Sequence, residues 1–216
     1  MSFSTIITEG GLLPADLLAQ IAAADLPGQR PSDFEIASKQ TVNDLAADVW
    51  QIARTQWQVF YKNFQALGPN ESATSLTRQK WISPLLQNLG YEPTANSNAY
   101  QIDGRTYAIS HRADPNPDSP PIHIAGAHQR LDARAPSGGP RLSPHALMQE
   151  YLNSSEQVWG IITNGLRLRL LRDSSRFARP TFVEFDLQAM FSDEKFGEFV
   201  LMFRLLHRSR LPKDSS

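Results

Sequence analysis

The chain has 216 residues, of which 41% are hydrophobic and 20% charged, with no cysteine and a formal net charge of −1. This is the composition of a globular protein, and it excludes disulfides, cysteine-based zinc sites and a strongly basic nucleic-acid binder. The missing cysteines favour a cytoplasmic location, no apolar run is long enough to span a membrane, and "MSFSTIITEGG" lacks the features of a secretory signal.

The first part of the chain has a helical pattern. "LLPADLLAQIAAAD" predicts a short helix, and apolar residues recur at spacings of three and four from about Thr41 to Phe64. Gly68-Pro69 ends this second helix. Before residue 70 there are seven acidic and four basic residues. We therefore expect residues 1–72 to form an acidic helical appendage whose aromatic stripe is buried.

A mixed pattern of helices and strands follows. "SLTRQKWISPLLQNLGYEP" predicts a helix that Pro84 kinks or restarts and that Gly90 caps. "AYQIDGRTYAIS" carries Asp103-Gly104 between two short runs, which predicts a two-residue hairpin. "IHIAGA" is typical of a buried strand. "SPHALMQEYLN" predicts a helix with Ser143 as N-cap and Pro144 at its first position.

The next stretch, "WGIITNGLRLRLLRD", is the most ordered in pattern. "WGIIT" predicts a central strand, and Asn164-Gly165 predicts a type I′ turn into an outer strand that alternates leucine with arginine. "TFVEFDL" predicts a further strand, and Ser192 is expected to cap a last helix. The predicted fold is α/β (α+β): a mixed sheet flanked by helices over residues 73–190, followed by a C-terminal helix and tail over 191–216.

These sequence motifs, in this order, resemble the N-terminal nuclease-like domain of type IIG restriction-modification enzymes. The same domain occurs in related phage-defence DNA adenine methyltransferases and in type I restriction subunits. The resemblance rests on "PLLQNLGY", "YQIDGRTYAIS" and the passage "SPHALMQEYLN…VWGIITNGLRLRLLRD", closing with "EFDL". It covers about residues 76–190. It implies the PD-(D/E)xK endonuclease fold, in which two acids hold a divalent cation and a lysine helps to activate water.

The catalytic pattern that the resemblance implies is missing here. The corresponding strands carry only neutral residues: Thr106 or Ser110 on the second strand, and Gly126 with His128 or Ala125 with Ala127 on the third. Such residues do not bind Mg²⁺, which prefers carboxylate oxygens. His123 and His128 are five apart, and no His-Glu-x-x-His motif exists, so no metal site is predicted.

A displaced nuclease site is the enzymatic alternative. Asp114 lies in the proline-rich loop, "RLDAR" places Asp132 and Arg134 two apart, and Glu150 lies on a predicted helix. The competing interpretation is a loop salt bridge between Asp132 and Arg134 and a solvated Glu150. Mg²⁺ is expected as a cofactor only if these acids act together.

Arginines dominate the segment from 141 to 180, which has six basic and three acidic residues. We expect any DNA contact to use five of them: Arg167, Arg169, Arg172, Arg176 and Arg179. Strand alternation places Arg167 and Arg169 on one face, with the intervening leucines on the core. The alternative is that these arginines pair with Glu150, Glu156 or Glu184, or cover apolar surface with their stems.

The leading functional hypothesis is non-enzymatic. The chain would be a catalytically degenerate, nuclease-fold module of a bacterial restriction-modification or phage-defence DNA methyltransferase, with DNA and a downstream methyltransferase domain as partners and no cofactor of its own. The alternatives are an active Mg²⁺-dependent endonuclease with displaced acids, and an interaction domain unrelated to DNA.

Overall fold

A seven-stranded mixed sheet forms the centre of the molecule. The computed structural model describes residues 3–36, 39–134, 141–174 and 181–211. In chain order the strands are β1 (Ile6–Glu9), β2 (Thr94–Ala95), β3 (Tyr100–Ile102), β4 (Arg105–Tyr107), β5 (His111–Arg112), β6 (Pro121–Ile124), β7 (Trp159–Thr163), β8 (Arg167–Arg172) and β9 (Phe182–Asp186). The order across the sheet is β1-β9-β8-β7-β6-β5-β2, and β3 pairs with β4 separately. The β6–β7 pair is parallel and the other pairs are antiparallel.

Helices cover both faces of this sheet. They are α1 (Ala15–Ala22), α2 (Val42–Ala66), α3 (Thr74–Thr77), α4 (Ser83–Asn88), α5 (Pro144–Ser154), α6 (Leu187–Ser192) and α7 (Phe196–Leu206), with 3-10 turns at Pro31–Phe34 and Arg208–Arg210. Helix α5 and the β3–β4 hairpin enclose a small core on one face, while the other helices enclose the main core on the opposite face. The predicted mixed α/β sheet flanked by helices is therefore confirmed. Within the described residues, no helix is long and apolar enough to cross a membrane.

The long helix α2 shows how the sequence specifies its packing. Thr41 caps its first turn by accepting the Asp44 N–H, and the Asp44 carboxylate accepts the Thr41 N–H in return. Trp57 and Phe60, about one turn apart, are buried, and both rings contact Trp81. Trp57 stacks on Phe191, and Phe191 contacts Phe199 edge-on. The aromatic stripe of the first segment is thus core, as predicted, and it joins residues from all three predicted segments in one hydrophobic cluster.

A π turn, Arg78–Ile82, connects α3 directly to α4. Pro84 follows as the second residue of α4, and its missing N–H removes one hydrogen bond that an unbroken α-helix would make. A π turn absorbs such a break without ending the helix. The predicted kink at Pro84 is realised in this way, and Gly90 ends α4 with a φ of +88°.

The first residues differ from the prediction of a purely helical N-terminal segment. Residues Ile6–Glu9 form β1, which lies at the edge of the sheet, antiparallel to β9. The segment is anchored by Glu198 of α7, whose carboxylate accepts the Thr5 N–H at 2.7 Å and the Thr5 hydroxyl at 2.6 Å. Four residues give too short a pattern to indicate a strand when the partner is distant in sequence.

The turn between β7 and β8 also differs from its prediction. Asp103-Gly104 forms the expected two-residue turn, with both φ angles positive. In contrast, only Gly165 of the Asn164-Gly165 pair has a positive φ, +83°, and the loop includes Leu166. The Asn164 carboxamide oxygen accepts the N–H groups of Leu166 and Arg167 at 3.1 and 2.9 Å. This side-chain turn replaces the type I′ geometry.

Two further expectations are wrong at this end of the fold. Strand β8 is not an outer strand, because β9 and then β1 lie beyond it. Ser192 does not cap the last helix; it is the final residue of α6, which Asp186 caps by accepting the Ala189 N–H at 3.0 Å. Both predictions fail because the position of these segments depends on pairing with residues far away in the sequence, which the local sequence pattern does not show.

Candidate functional site

Arg169 of β8 is the most enclosed of the three predicted DNA-binding arginines that the structure describes. Its guanidinium binds both carboxylate oxygens of Asp132, at 2.6 and 2.7 Å, and its Nε donates to Glu184 of β9. It also lies over the Phe182 ring and donates to Nδ1 of His145 at 3.0 Å. Only 7% of Arg169 is exposed. The expectation that this arginine faces solvent is therefore wrong.

Arg167 continues the same row of charges toward the turn. It donates to Glu184 at 2.8 Å and forms an ion pair with Asp186 at 2.9 Å. Its side chain is 43% exposed. The predicted alternation holds, since Leu168 and Leu170 lie in the main core on the opposite face. The alternative pairing with Glu184 is also present.

These pairs form an alternating network of Asp132, Arg169, Glu184, Arg167 and Asp186, with three acids and two arginines. All of these residues except Asp186 line a cleft of about 410 Å³ that also contains Arg130 and Gln188; we call it the arginine-strand cleft. Counted together, Arg130 and the network carry three positive and three negative formal charges. The two strand arginines are therefore neutralised by fixed carboxylates and give no basic surface.

The hydrogen bonds set the protonation states in this cleft. Burial alone would lower the pKa of Arg169, but its bonds to Asp132 and Glu184 outweigh this and raise it. The bond to Arg169 lowers the pKa of Asp132 below its usual value. Burial first, and then repulsion by Arg169, lower the pKa of His145. The bond to Arg169 thus favours the ionised form of Asp132, while the His145 imidazole beside it is neutral at neutral pH.

Among the remaining predicted arginines, Arg172 does not extend this row. Three residues after Arg169, it lies on the opposite face of β8 by strand alternation, with its guanidinium 5.7 Å from the Trp159 ring. Arg176 and Arg179 lie outside the described residues.

The candidate acids of a displaced nuclease site are held apart in separate ion pairs. Asp114 accepts from Arg208 at 2.6 Å, and Glu150 pairs with Arg105 of β4. Asp132 pairs with Arg169 and not with the neighbouring Arg134, which is exposed. Among the described residues, no three Asp, Glu or His side chains are placed so that they could hold a metal ion.

A second cleft, of about 500 Å³, lies between the π turn and the β2–β5 edge of the sheet. We call it the Arg78 cleft. Arg78 is the first residue of the π turn, and its Nε and Nη2 donate to the Ile124 carbonyl at 3.0 and 2.8 Å. The polar lining consists of hydroxyl, amide and imidazole side chains: Ser75, Gln79, Ser83, Asn96, Ser97, Asn98, Ser110 and His111. No carboxylate is among them.

The charge of Arg78 is uncompensated. Within the described ranges it forms no ion pair, and burial lowers its pKa. Arg112 of β5 adds a second cation beside the cleft and orients the Asn96 side chain by donating to its Oδ1 at 2.8 Å. A half-buried guanidinium among neutral donors favours an anion.

Ser110 lies where the resemblance to nucleases places the first acid, and the structure gives it a backbone role. Its hydroxyl accepts the Ile124 N–H at 2.9 Å and lies 2.8 Å from Nδ1 of His111. Burial, followed by repulsion from Arg78, lowers the pKa of His111 to about 4. His111 is therefore neutral at physiological pH and does not add to the positive charge.

The Gly126 position cannot hold an acid without rearrangement. A Cβ atom at Gly126 would lie 2.8 Å from the Thr74 hydroxyl oxygen and 3.0 Å from the Thr74 N. Ala127 donates its N–H to the Thr77 hydroxyl at 3.1 Å. Helix α3 thus packs directly on the segment where a metal-binding side chain would have to project.

Sequence reasoning did not single out Arg78 or Glu184. Arg78 is one polar residue in a helical segment, where a base usually lies on the solvated face. The signal that could have drawn attention to it is Pro84 six residues later, which disturbs the helix there. Glu184 was considered only as a partner for the arginines, which is its role in the structure.

Comparison with known proteins adds no relative. No protein-family model matches the chain, and no significant match was found to a curated protein or to a solved structure.

Proposed function

We propose that the chain is a nuclease-like module that contacts the DNA backbone without cleaving it, as part of a bacterial restriction-modification or phage-defence methyltransferase. The observation that carries this proposal is the Arg78 cleft: an unpaired guanidinium among neutral hydroxyl and amide groups, with no carboxylate in the lining. The restriction-endonuclease-like fold and the downstream methyltransferase partner belong to the same proposal and rest on the sequence resemblance.

The chemistry of the cleft fits a phosphodiester. Most protein–DNA hydrogen bonds go to phosphate and sugar oxygens, from arginine, serine, asparagine and glutamine side chains, and they position the duplex without reading its sequence. The Arg78 cleft contains all four residue types. A nuclease would need carboxylates at the same place to hold Mg²⁺, and these would repel phosphate in the absence of the ion.

The arginine-strand cleft supports DNA contact less well. Asp132, Glu184 and Asp186 already occupy the donors of Arg167 and Arg169, so a phosphate would have to displace a bound carboxylate. We therefore assign the principal phosphate contact to Arg78, with Arg112 close by, and a structural role to Arg169.

Salt-dependent binding of a fluorescent duplex tests this assignment. We expect the wild-type chain to bind at about 50 mM salt and to lose affinity steeply as salt rises, as phosphate contacts require. Arg78→Gln removes the charge while keeping a donor for the Ile124 carbonyl. It should weaken binding at least about fivefold and reduce the slope of log K against log salt by about 0.9.

Matched variants distinguish the loss of a specific contact in the Arg78 cleft from a general change in net charge. Arg134→Gln removes one exposed charge elsewhere and should leave affinity within about twofold, because distant charges are screened. The double variant Arg167→Ala/Arg169→Ala should bind DNA as the wild type does and be less stable. Loss of binding in this double variant with unchanged stability would move the contact to the arginine strand. No duplex binding by the wild type at low salt would leave an interaction domain unrelated to DNA.

A plasmid-nicking assay with Mg²⁺ or Mn²⁺ tests the enzymatic alternative. We expect no nicking, because the candidate carboxylates are dispersed in separate arginine pairs. Metal-dependent nicking that disappears in Asp114→Ala or Asp132→Ala would establish the displaced-acid nuclease instead.

A further inference from the structure

An apolar pocket of about 250 Å³ is lined by residues of α1, α7, β7 and β8 and of the loops beside them. Its wall is formed mainly by aliphatic side chains, including Leu12 and Leu13 between β1 and α1 and Ile21 of α1, and by the indole of Trp159. Two arginines, Arg204 of α7 and Arg210 of the last 3-10 turn, complete the lining. We call this site the Arg204 pocket.

Arg204 is 5% exposed and has only neutral partners. Its Nη1 donates to Oε1 of the Gln29 side chain and its Nη2 to Oδ1 of the Asn43 side chain, both at 3.0 Å. Arg210 donates to the Gly28 carbonyl at 2.9 Å and lies over the Phe34 ring at 3.9 Å. Within the part of the chain that the structure describes, neither arginine forms an ion pair, and the Nε of each is buried without a hydrogen-bond partner.

The other deeply buried arginines of this protein behave differently. Arg169 is held by Asp132 and Glu184, and Arg208 by Asp114. A buried charge is normally paired because its desolvation is costly. Arg204 and Arg210 add to this cost by repelling each other: burial, and then the charge of Arg210, lower the pKa of Arg204. The charge of Asp33, whose backbone carbonyl accepts from Arg210, raises the pKa of Arg210 by less than burial lowers it. No carboxylate lines the pocket, so it is positive as well as apolar.

We propose that the Arg204 pocket binds a small carboxylate with an apolar body, with the carboxylate at the two arginines and the hydrocarbon between the leucines and Trp159. The two arginines offer charge-assisted hydrogen bonds to a carboxylate, and the apolar wall gains from covering a tail of several methylene groups. The volume limits the ligand to a short or medium chain. This site is separate from the Arg78 cleft, and its assignment does not depend on DNA binding.

Titration calorimetry with octanoate tests the proposal, with octanol as the uncharged probe of equal chain length and 3-phenylpropionate to distinguish an aromatic body from an aliphatic one. We expect octanoate to bind at least tenfold more tightly than octanol. Arg204→Gln should weaken octanoate binding at least tenfold and leave octanol binding unchanged, while Arg141→Gln, an exposed arginine outside the pocket, should change neither.

A second variant covers the possibility that Arg204→Gln does not fold. Leu13→Trp fills the pocket from a half-buried loop position without touching the arginines, and it should abolish binding of every probe. The proposal is overturned if octanoate does not bind at millimolar concentration, if octanoate and octanol bind equally, or if folded Leu13→Trp binds octanoate as the wild type does. Tighter binding of 3-phenylpropionate than of octanoate would assign an aromatic carboxylate to the same site.

Discussion

Replacing Gly165 by alanine should destabilise the protein strongly, because the position is restricted by both backbone conformation and space. Its φ is +83°, where an L-residue costs about 1–2 kcal/mol. A Cβ atom there would lie 2.8 Å from Thr77 Cγ2 and 3.3 Å from both Phe60 Cζ and Trp81 Cδ1. Forcing one more carbon into such a packed site costs about 1–3 kcal/mol. The expected loss is therefore about 2–5 kcal/mol.

The turn cannot move away easily to relieve this contact. The Trp81 indole N–H donates to the Gly165 carbonyl at 2.8 Å, and both residues are buried. Shifting the loop would break this bond and leave the indole donor unsatisfied, at a cost of about 1–3 kcal/mol. Gly165→Val should lower the free energy of unfolding further than Gly165→Ala, because a β-branched residue resists a positive φ more strongly.

Gly104→Ala is the matched control. Gly104 also has a positive φ, +74°, but no atom lies within 4 Å of a Cβ built there. Gly104→Ala should therefore lower the free energy of unfolding only by the backbone cost of a positive φ, about 1–2 kcal/mol. Urea unfolding followed by tryptophan fluorescence measures both, since Trp57 and Trp81 are buried. Equal losses for the two alanine variants would refute the packing argument, and no loss at Gly165 would refute the turn itself.

Three other outcomes follow from the same structure. Arg169→Met should lower the free energy of unfolding, measured in urea, by about 3–5 kcal/mol, because it leaves Glu184 buried without its main partner. Arg167→Met should lower it by no more than about 1 kcal/mol, because that ion pair is more exposed. Equal losses for the two variants would contradict the burial argument. Thr41→Ala removes the cap of α2 and should cost about 1 kcal/mol, and an unchanged midpoint would contradict the capping role. The pKa of His111 is about 4 in the folded protein and about 6.5 in the unfolded chain. The unfolded state therefore binds more protons between these pH values, and the free energy of unfolding should fall as pH is lowered from about 6.5 to 4. His111→Gln should make that fall shallower, and an identical pH profile would contradict it.

Local pattern was sufficient for the elements that carry their own signals. Apolar spacing predicted α2, and Ser143 with Pro144 predicted the start of α5, which Ser143 caps as expected. The Asp103-Gly104 turn was predicted because both residues tolerate positive φ. Each of these features depends on residues within a few positions of one another.

The misjudged features depend on partners far away in the chain. Strand alternation correctly placed Arg167 and Arg169 on one face, but which face is exposed depends on Asp132 and α5, which cover it from other parts of the sequence. The same holds for Arg78, whose hydrogen bond to Ile124 spans 46 residues. The ligand preference of a site was therefore less predictable than the elements that build it.

The edge strand β1 has a consequence for how the polypeptide folds. It pairs Ile6 with Phe185, so nearly all of the described chain lies between the two halves of one strand pair. At a synthesis rate of about 5–20 residues per second, the interval between the synthesis of β1 and that of β9 is on the order of ten seconds or more. Such a distant contact forms late, since the entropy of closing the intervening loop must be overcome first. Until then the new sheet ends at β9, whose free backbone groups can pair with any extended segment nearby. Strand β1 thus completes the sheet and pairs the backbone groups of β9 that would otherwise stay free.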